Sequence, residues 1–157
     1  MKAKKSIGIR VTPATIFFSI VSLENDGVEV KTIDIVKSPK SMQTPEQLKF
    51  IRNTLSDIIN EYQVNYACIR ITESNARKVS IPRVYIEGVI QELFASSTIE
   101  KYYIGQISNI ASHLGISRNE FKPYAEGDVD FEGIDDWKDL KLEHRESIMA
   151  AISALSI

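Results

Sequence analysis

Residues 6–37, SIGIRVTPATIFFSIVSLENDGVEVKTIDIVK, decide the fold. Three runs rich in β-branched and aromatic residues follow one another there, at 6–11, 14–23 and 28–37. The residues at 25–27, Asn-Asp-Gly, have the chemistry of a hairpin turn, because glycine accepts a positive φ without a steric clash. We therefore predict that the chain opens with an antiparallel β-meander.

Beyond the meander the pattern becomes helical. Thr44, Pro45 and Gln47 predict a capped helix start, with Thr44 as the cap and Gln47 completing a capping box. The segment 66–72 is apolar on both faces, which is typical of a central parallel strand. The remaining predicted elements are a helix at 82–94, a strand at 100–104, a helix at 107–114, a loop at 122–139 and a helix at 143–155. The order β-β-β-α-β-α-β-α-α predicts an α/β fold with a mixed five-stranded sheet and helices on both faces.

Length and composition indicate one globular domain over residues 1–157, because 43% of them are hydrophobic and 25% are charged. The single cysteine, Cys68, lies in an apolar run, so we interpret it as a small buried hydrophobe in a reducing compartment. The basic start at 1–5 precedes a short apolar stretch that Arg10 and Pro13 interrupt. We therefore expect no signal peptide, no membrane association and a cytoplasmic location. The net charge of −2 gives no global attraction to nucleic acid.

Three short stretches resemble the RuvC-type Holliday-junction resolvases of the RNase H-like superfamily. They are IGIR at 7–10, EYQ at 61–63 with YACIR at 66–70, and EHRESIMAAI at 143–152. Over much of its length the chain also resembles an uncharacterised family of small bacterial proteins with this fold. The resemblance implies an RNase H-like sheet and directs attention to a nuclease-type site.

The resemblance implies that, in the resolvases, a carboxylate stands at the end of the first strand and of the fourth strand. It also implies that an acidic pair lies at the start of the last helix. Such carboxylates hold divalent metals, which need several negative oxygens in one place. This sequence has Arg10 and Arg70 at the strand positions, while Glu143 and Glu146 retain the helix pair. Arginine stays protonated and cannot ligate a metal. We therefore expect Arg10 and Arg70 to lie side by side, facing the two glutamates, in a charge-inverted remnant site with no metal cofactor.

A simpler interpretation keeps Arg10 and Arg70 as strand-end charges that face water. Glu143 and Glu146 would then be acids favoured by the first turn of a helix. A separate basic group, Arg70, Arg77, Lys78 and Arg83, lies between the fourth strand and the second helix. It predicts either a phosphate-contacting patch or an ordinary solvated loop.

Two functional hypotheses follow. The preferred one is a catalytically degenerate RNase H-like domain that acts by binding a protein partner, a second copy of itself as a homodimer, or a nucleic acid. The alternative is a metal-dependent nuclease or resolvase that uses Glu73, Glu143 and Glu146 with Mg²⁺ or Mn²⁺.

Overall fold

The computed structural model describes residues 3–157, so Met1 and Lys2 of the basic start lie outside the described residues. The strands are β1 (Lys5–Val11), β2 (Thr15–Glu24), β3 (Gly27–Lys37), β4 (Tyr66–Arg70) and β5 (Lys101–Gly105). The helices are α1 (Thr44–Tyr62), α2 (Ile81–Ser96), α3 (Ile107–Leu114), α4 (Arg118–Glu126) and α5 (Leu142–Ala154). In this described part, no helix has the length and apolar character that crossing a membrane requires.

The five strands form one mixed sheet in the order β3-β2-β1-β4-β5. β1, β2 and β3 pair antiparallel, and the turn into β3 uses Gly27 at φ 125°. β4 pairs parallel with β1 on one side and with β5 on the other. The predicted meander and the mixed sheet are therefore confirmed. The carboxyl ends of β1, β4 and β5, where Arg10, Arg70 and Gly105 are register partners, lie at one border of the sheet, which we call the carboxyl edge.

Helices cover both faces of the sheet, as predicted. α1 and α2 pack on the face that carries the alternate β1 residues Ile7, Ile9 and Val11, all fully buried. Burying one such side chain contributes about 1.5–3 kcal/mol, so this layer is a major source of stability. α5, with α3 and α4 beside it, covers the opposite face. Side chains of β1 and β4 that alternate with the isoleucines therefore point toward α5.

The loop predicted at 122–139 is wrong in its first part, because α4 extends to Glu126. Ser117 and Glu120 form a capping box, and Gly127 ends the helix in the left-handed conformation. Pro123 lies inside this nine-residue helix, where it removes one backbone donor without preventing the turn around it. A 3₁₀ turn at Trp137–Asp139 follows the remaining loop.

The predicted capping box of α1 is also wrong. Gln43 occupies the N-cap position and Thr44 is the first helical residue, so the Thr44 side chain makes no cap. The Gln47 side chain instead donates a hydrogen bond to the carbonyl of Pro39, at 2.8 Å. The helix start is thus held by the preceding turn rather than by its own first residues.

Candidate functional site at the carboxyl edge

Arg10 is the last but one residue of β1 and Arg70 is the last residue of β4, and the two are partners in the parallel register of these neighbouring strands. Their preceding residues, Ile9 and Ile69, are buried under α1 and α2. Strand alternation therefore directs both arginines to the α5 side. Arg70 is only 5% exposed, so the interpretation that it faces water does not describe it.

Glu146 of α5 meets both arginines. Its Oε2 lies 2.7 Å from Arg10 Nε and 3.3 Å from Arg70 Nε. Oε2 and Arg70 Nε are enclosed and make no hydrogen bond within the described chain, so the attraction between them is chiefly that of opposite charges. The pKa of Glu146 is raised because burial disfavours the carboxylate, and the Arg70 and Arg83 charges offset part of that rise.

A second buried acid, Glu87 of α2, completes the group of charges. Its Oε2 accepts hydrogen bonds from the backbone N–H of Thr72 at 3.0 Å and from the Thr72 hydroxyl at 3.1 Å. Arg83 Nε also donates to it, at 3.0 Å. We call Arg10, Arg70, Arg83, Glu87 and Glu146 the arginine cluster. It places three guanidinium groups against two carboxylates.

The sequence-based prediction missed Glu87. Its only signal is an acid on the apolar side of a predicted helix, next to Ile86 and three residues before Ile90. Charged residues are almost never buried unless they are paired, so this position predicts a buried partner. The partners, Thr72 and Arg83, come from the loop after β4 and from the preceding helical turn.

Glu143 and Glu73 lie outside the ion pairs of the arginine cluster. Glu143 is half-buried, and no ion pair joins it to Arg10 or Arg70. Glu73 accepts a hydrogen bond from the backbone N–H of Ile107, at 3.2 Å, and lies 3.7 Å from Arg118 Nη2. Across residues 3–157, no three His, Cys, Asp or Glu side chains are grouped so that they could hold a metal ion, and this includes Glu73, Glu143 and Glu146.

The predicted phosphate-contacting residues divide into two kinds. Arg77 and Lys78 are exposed in the loop between β4 and α2. Arg70 and Arg83 are turned inward, toward Glu146 and Glu87 respectively. Only the first pair is therefore positioned to meet a ligand from solvent, among the four residues of the predicted patch.

Arg145, the neighbour of Glu146, was also missed and has a structural role. It is buried, and its Nε donates to the carbonyl of Ala125 at 2.6 Å while its Nη1 donates to the carbonyl of Leu140. It thus ties α5 to the end of α4 and to the segment before α5. Cys68 is buried as predicted, and burial raises the pKa of its thiol to about 12.

Comparison with known proteins yields solved structures only. No protein-family model and no curated protein sequence matches the chain. Thermus thermophilus RuvC superposes with a TM-score of 0.69 at 9% identity, covering 95% of this chain and 92% of RuvC. The yeast mitochondrial Holliday junction resolvase Ydc2 gives a TM-score of 0.59 at 12% identity, covering 98% of this chain and 79% of Ydc2.

The fowlpox virus resolvase, solved with Holliday junction DNA, gives a TM-score of 0.58 at 13% identity over 95% of each chain. At such identities the likeness establishes the fold alone. The mixed sheet, its strand order and its helices on both faces are those of the RNase H-like fold.

Proposed function

We propose that this RNase H-like domain binds nucleic acid at its carboxyl edge and does not cleave it by a metal-dependent mechanism. The observation behind the lack of metal-dependent cleavage is the contact of Arg10 and Arg70 with Glu146. The resemblance to the resolvases implies carboxylates at both strand ends. Permanent positive charges there repel the dications that phosphodiester cleavage by such a site requires.

Nucleic-acid binding is inferred from the positive charge of the carboxyl edge. The arginine cluster has an excess of one guanidinium over its carboxylates, and the exposed Arg77 and Lys78 lie in the loop that follows Arg70. Arg118 of α4, with 58% of its side chain exposed, lies beside Glu73, and Glu73 belongs to the same loop as Arg77 and Lys78. The whole chain has a net charge of −2, so the positive charge is local. Phosphate backbones bind to such local basic surfaces.

The comparisons support this choice over a purely protein-binding role. RuvC and the fowlpox virus resolvase have each been solved with Holliday junction DNA. The identities are too low to transfer substrate or activity. They make branched DNA the first ligand to test, with single-stranded DNA and RNA beside it.

Binding is tested by fluorescence anisotropy with a labelled four-way junction, in EDTA, over a series of salt concentrations. We expect affinity to fall as salt rises, and the double variant Arg77→Ala/Lys78→Ala to reduce the slope of log K against log[salt] by about 2. The matched control, Lys49→Ala/Lys101→Ala, removes two exposed lysines, one from α1 and one from the start of β5 at the opposite border of the sheet, and should leave the slope unchanged. No binding to any nucleic acid tested would refute nucleic-acid binding, and equal losses in both doubles would refute the assignment of the binding surface to the loop with Arg77 and Lys78.

Cleavage is tested on the same substrates with Mg²⁺ or Mn²⁺. The proposal expects intact substrate. The alternative, a nuclease built on Glu73, Glu143 and Glu146, expects products that disappear in Glu146→Gln and Glu73→Gln. Such products would overturn the non-catalytic assignment while leaving nucleic-acid binding in place.

A further inference from the structure

An apolar groove lies on the α5 side of the sheet and has a volume of about 510 Å³. The β2–β3 hairpin contributes Leu23 and Val28 to its lining, and the end of α5 contributes Ile152 and Leu155. α3, α4 and the segments that follow them add further apolar side chains, Leu114, Ile116, Tyr124 and Phe131. The backbone N–H of Leu23 donates to the carbonyl of Lys4, which precedes the first residue of β1. The groove therefore lies at the border of the sheet opposite the carboxyl edge.

The groove is open to solvent on one side, which indicates what kind of molecule fits it. Leu23 is 43% exposed, whereas Leu155 is 8% exposed. Val28, Ile116 and Ile152 are half-buried. A small-molecule pocket encloses most of the surface of its ligand. An occupant of this groove keeps one side in water, as an amphipathic helix does when its apolar face lies in a groove.

The rim of the groove is acidic. Glu132 lines the groove itself, and Asp130 lies two residues before it. Glu24 and Asp26 belong to the β2–β3 hairpin, between the two hairpin residues that line the groove. All four carboxylates are exposed, and no lysine or arginine of residues 3–157 lines the groove. A partner that covers the apolar side chains therefore gains from positive charge at its edges.

Two lysines close to this rim are already engaged within the chain. Lys31 Nζ lies 3.1 Å from Glu29 Oε2 and 3.5 Å from Glu24 Oε1. Lys4 Nζ donates a hydrogen bond to the carbonyl of Leu155, at 3.4 Å. Neither lysine pairs with the other three carboxylates of the rim, which are therefore available to the cations of a partner.

We propose that this groove binds a basic amphipathic helix of a partner protein. The apolar face of that helix covers Leu23, Ile152 and the other apolar lining residues, and its lysines and arginines face the acidic rim. Contiguous exposed apolar surface with a polar rim is typical of such a contact, whereas single exposed hydrophobic residues need no explanation. The association does not depend on nucleic-acid binding, because the groove and the carboxyl edge lie at opposite borders of the sheet. It is therefore tested without nucleic acid.

The probe is a fluorescent synthetic peptide of leucine and lysine in which leucine recurs at i, i+3, i+4 and i+7. Fluorescence anisotropy compares it with two further peptides. One has the same composition with its leucines distributed around the helix, and the other has glutamate in place of lysine. We expect both to bind about tenfold more weakly, because the first lacks the apolar face and the second lacks the complementary charge. Equal affinities for all three peptides would refute the proposal.

A matched pair of variants tests where the leucine–lysine peptide binds. Leu23→Lys puts a cation into the groove and should weaken binding by about tenfold. Met42→Lys is the control, because Met42 is 42% exposed and lies between β3 and α1, whose helix covers the other face of the sheet. It should leave the affinity unchanged, and thermal unfolding checks that both variants fold. Equal losses in the two variants would overturn the groove as the binding site.

Charge reversal at the rim tests the chemistry of the partner. Asp130→Lys/Glu132→Lys should reverse the preference, so that the leucine–glutamate peptide binds more tightly than the leucine–lysine peptide. Asp57→Lys/Glu61→Lys makes the same change in net charge at exposed positions of α1 and should keep the wild-type preference. A reversal in both double variants would show attraction to the charge of the whole chain and would refute the role of the rim.

A small apolar ligand is the other occupant that the measurement distinguishes. Nile red, an apolar fluorophore, is added to the wild type and to Leu23→Lys. Fluorescence that Leu23→Lys abolishes, in a protein that does not bind the leucine–lysine peptide, would assign the groove to a small molecule and would overturn the proposal.

Discussion

A Cβ atom at Gly8 would lie 1.9 Å from the backbone oxygen of Ser147, so α5 rests directly on the backbone of β1. The same helix is held by Ser19, whose Oγ lies 2.5 Å from Ser147 Oγ, and by Ser6, whose hydroxyl donates to the carbonyl of Ala151. This close approach brings Glu146, the residue before Ser147, within reach of Arg10. The glycine in the middle of a central strand therefore positions the arginine cluster.

The first prediction concerns that glycine. Gly8→Ala forces a methyl group against the backbone of α5, where no flexible side chain can move aside. We expect a loss of about 3 kcal/mol in the free energy of unfolding, measured by urea denaturation. Gly88 also has no positive φ, but a methyl group added there enters open space. Gly88→Ala should therefore stabilise α2 by about 0.5–1 kcal/mol. Equal effects at the two glycines would contradict the packing described for Gly8.

The second prediction concerns the buried charges. Glu146→Leu leaves the guanidinium groups of Arg10 and Arg70 without their shared carboxylate, at a cost of about 3 kcal/mol in unfolding free energy. The triple variant Arg10→Met/Arg70→Met/Glu146→Leu should recover at least half of that loss, because no unpaired charge remains buried. Glu92→Leu, which removes the acid of an exposed pair with Arg52, serves as control and should change stability little. A triple variant less stable than Glu146→Leu would show that the arginines stabilise the fold by other contacts.

Much of the fold could be predicted because hydrophobic periodicity and turn chemistry act locally. The meander, the central strand β4 and α3, which Gly115 follows, all carry strong local signals. α4 is missed because residues 122–139 are rich in glycine, proline and aspartate, a composition that predicts a loop. The structure uses Pro123 inside a short helix and Gly127 as its end.

The site could be predicted only in part, because side-chain partners depend on tertiary packing. The neighbouring positions of Arg10 and Arg70 follow from the strand order that the resemblance to the RNase H-like superfamily implies. Glu146, rather than Glu143, meets the arginines because α5 is rotated about its own axis where it rests on Gly8. No local sequence pattern specifies that rotation. Glu87 joins the cluster through Thr72, a loop residue whose position depends on the whole β4–α2 connection.

The third prediction concerns pH. The pKa of His144 is lowered because burial disfavours the charged ring, and Lys141 adds to this effect against Glu143 and Asp34. The folded protein therefore binds this proton less tightly than the unfolded chain does. The stability associated with His144 is present above its ordinary pKa of 6.5 and is lost as the pH falls through the lowered value. Urea unfolding between pH 7.5 and 5 should show a decline that is smaller in His144→Asn.

His144→Asn also loses the edge-to-face contact with Phe17, whose ring centroid lies 5.0 Å away, so its absolute stability falls at every pH. The informative quantity is the change in slope, and an unchanged slope in His144→Asn would contradict the assignment.

The fourth prediction reverses the charge at the strand ends. In Arg10→Asp/Arg70→Glu, two carboxylates replace the guanidinium groups beside Glu146, which gives the hard-oxygen donor set that divalent metals prefer. We expect Mn²⁺ to raise the melting temperature of this variant, with a stabilisation of about 2.7 kcal/mol once the metal exceeds its dissociation constant a hundredfold. The wild type should not respond, because Arg10 and Arg70 keep the position positive. The same double change with Glu146→Gln should lose most of the response, which separates binding at this site from metal bound elsewhere. A wild type stabilised by Mn²⁺ as strongly as the variant would show that arginine at the strand ends does not exclude the metal.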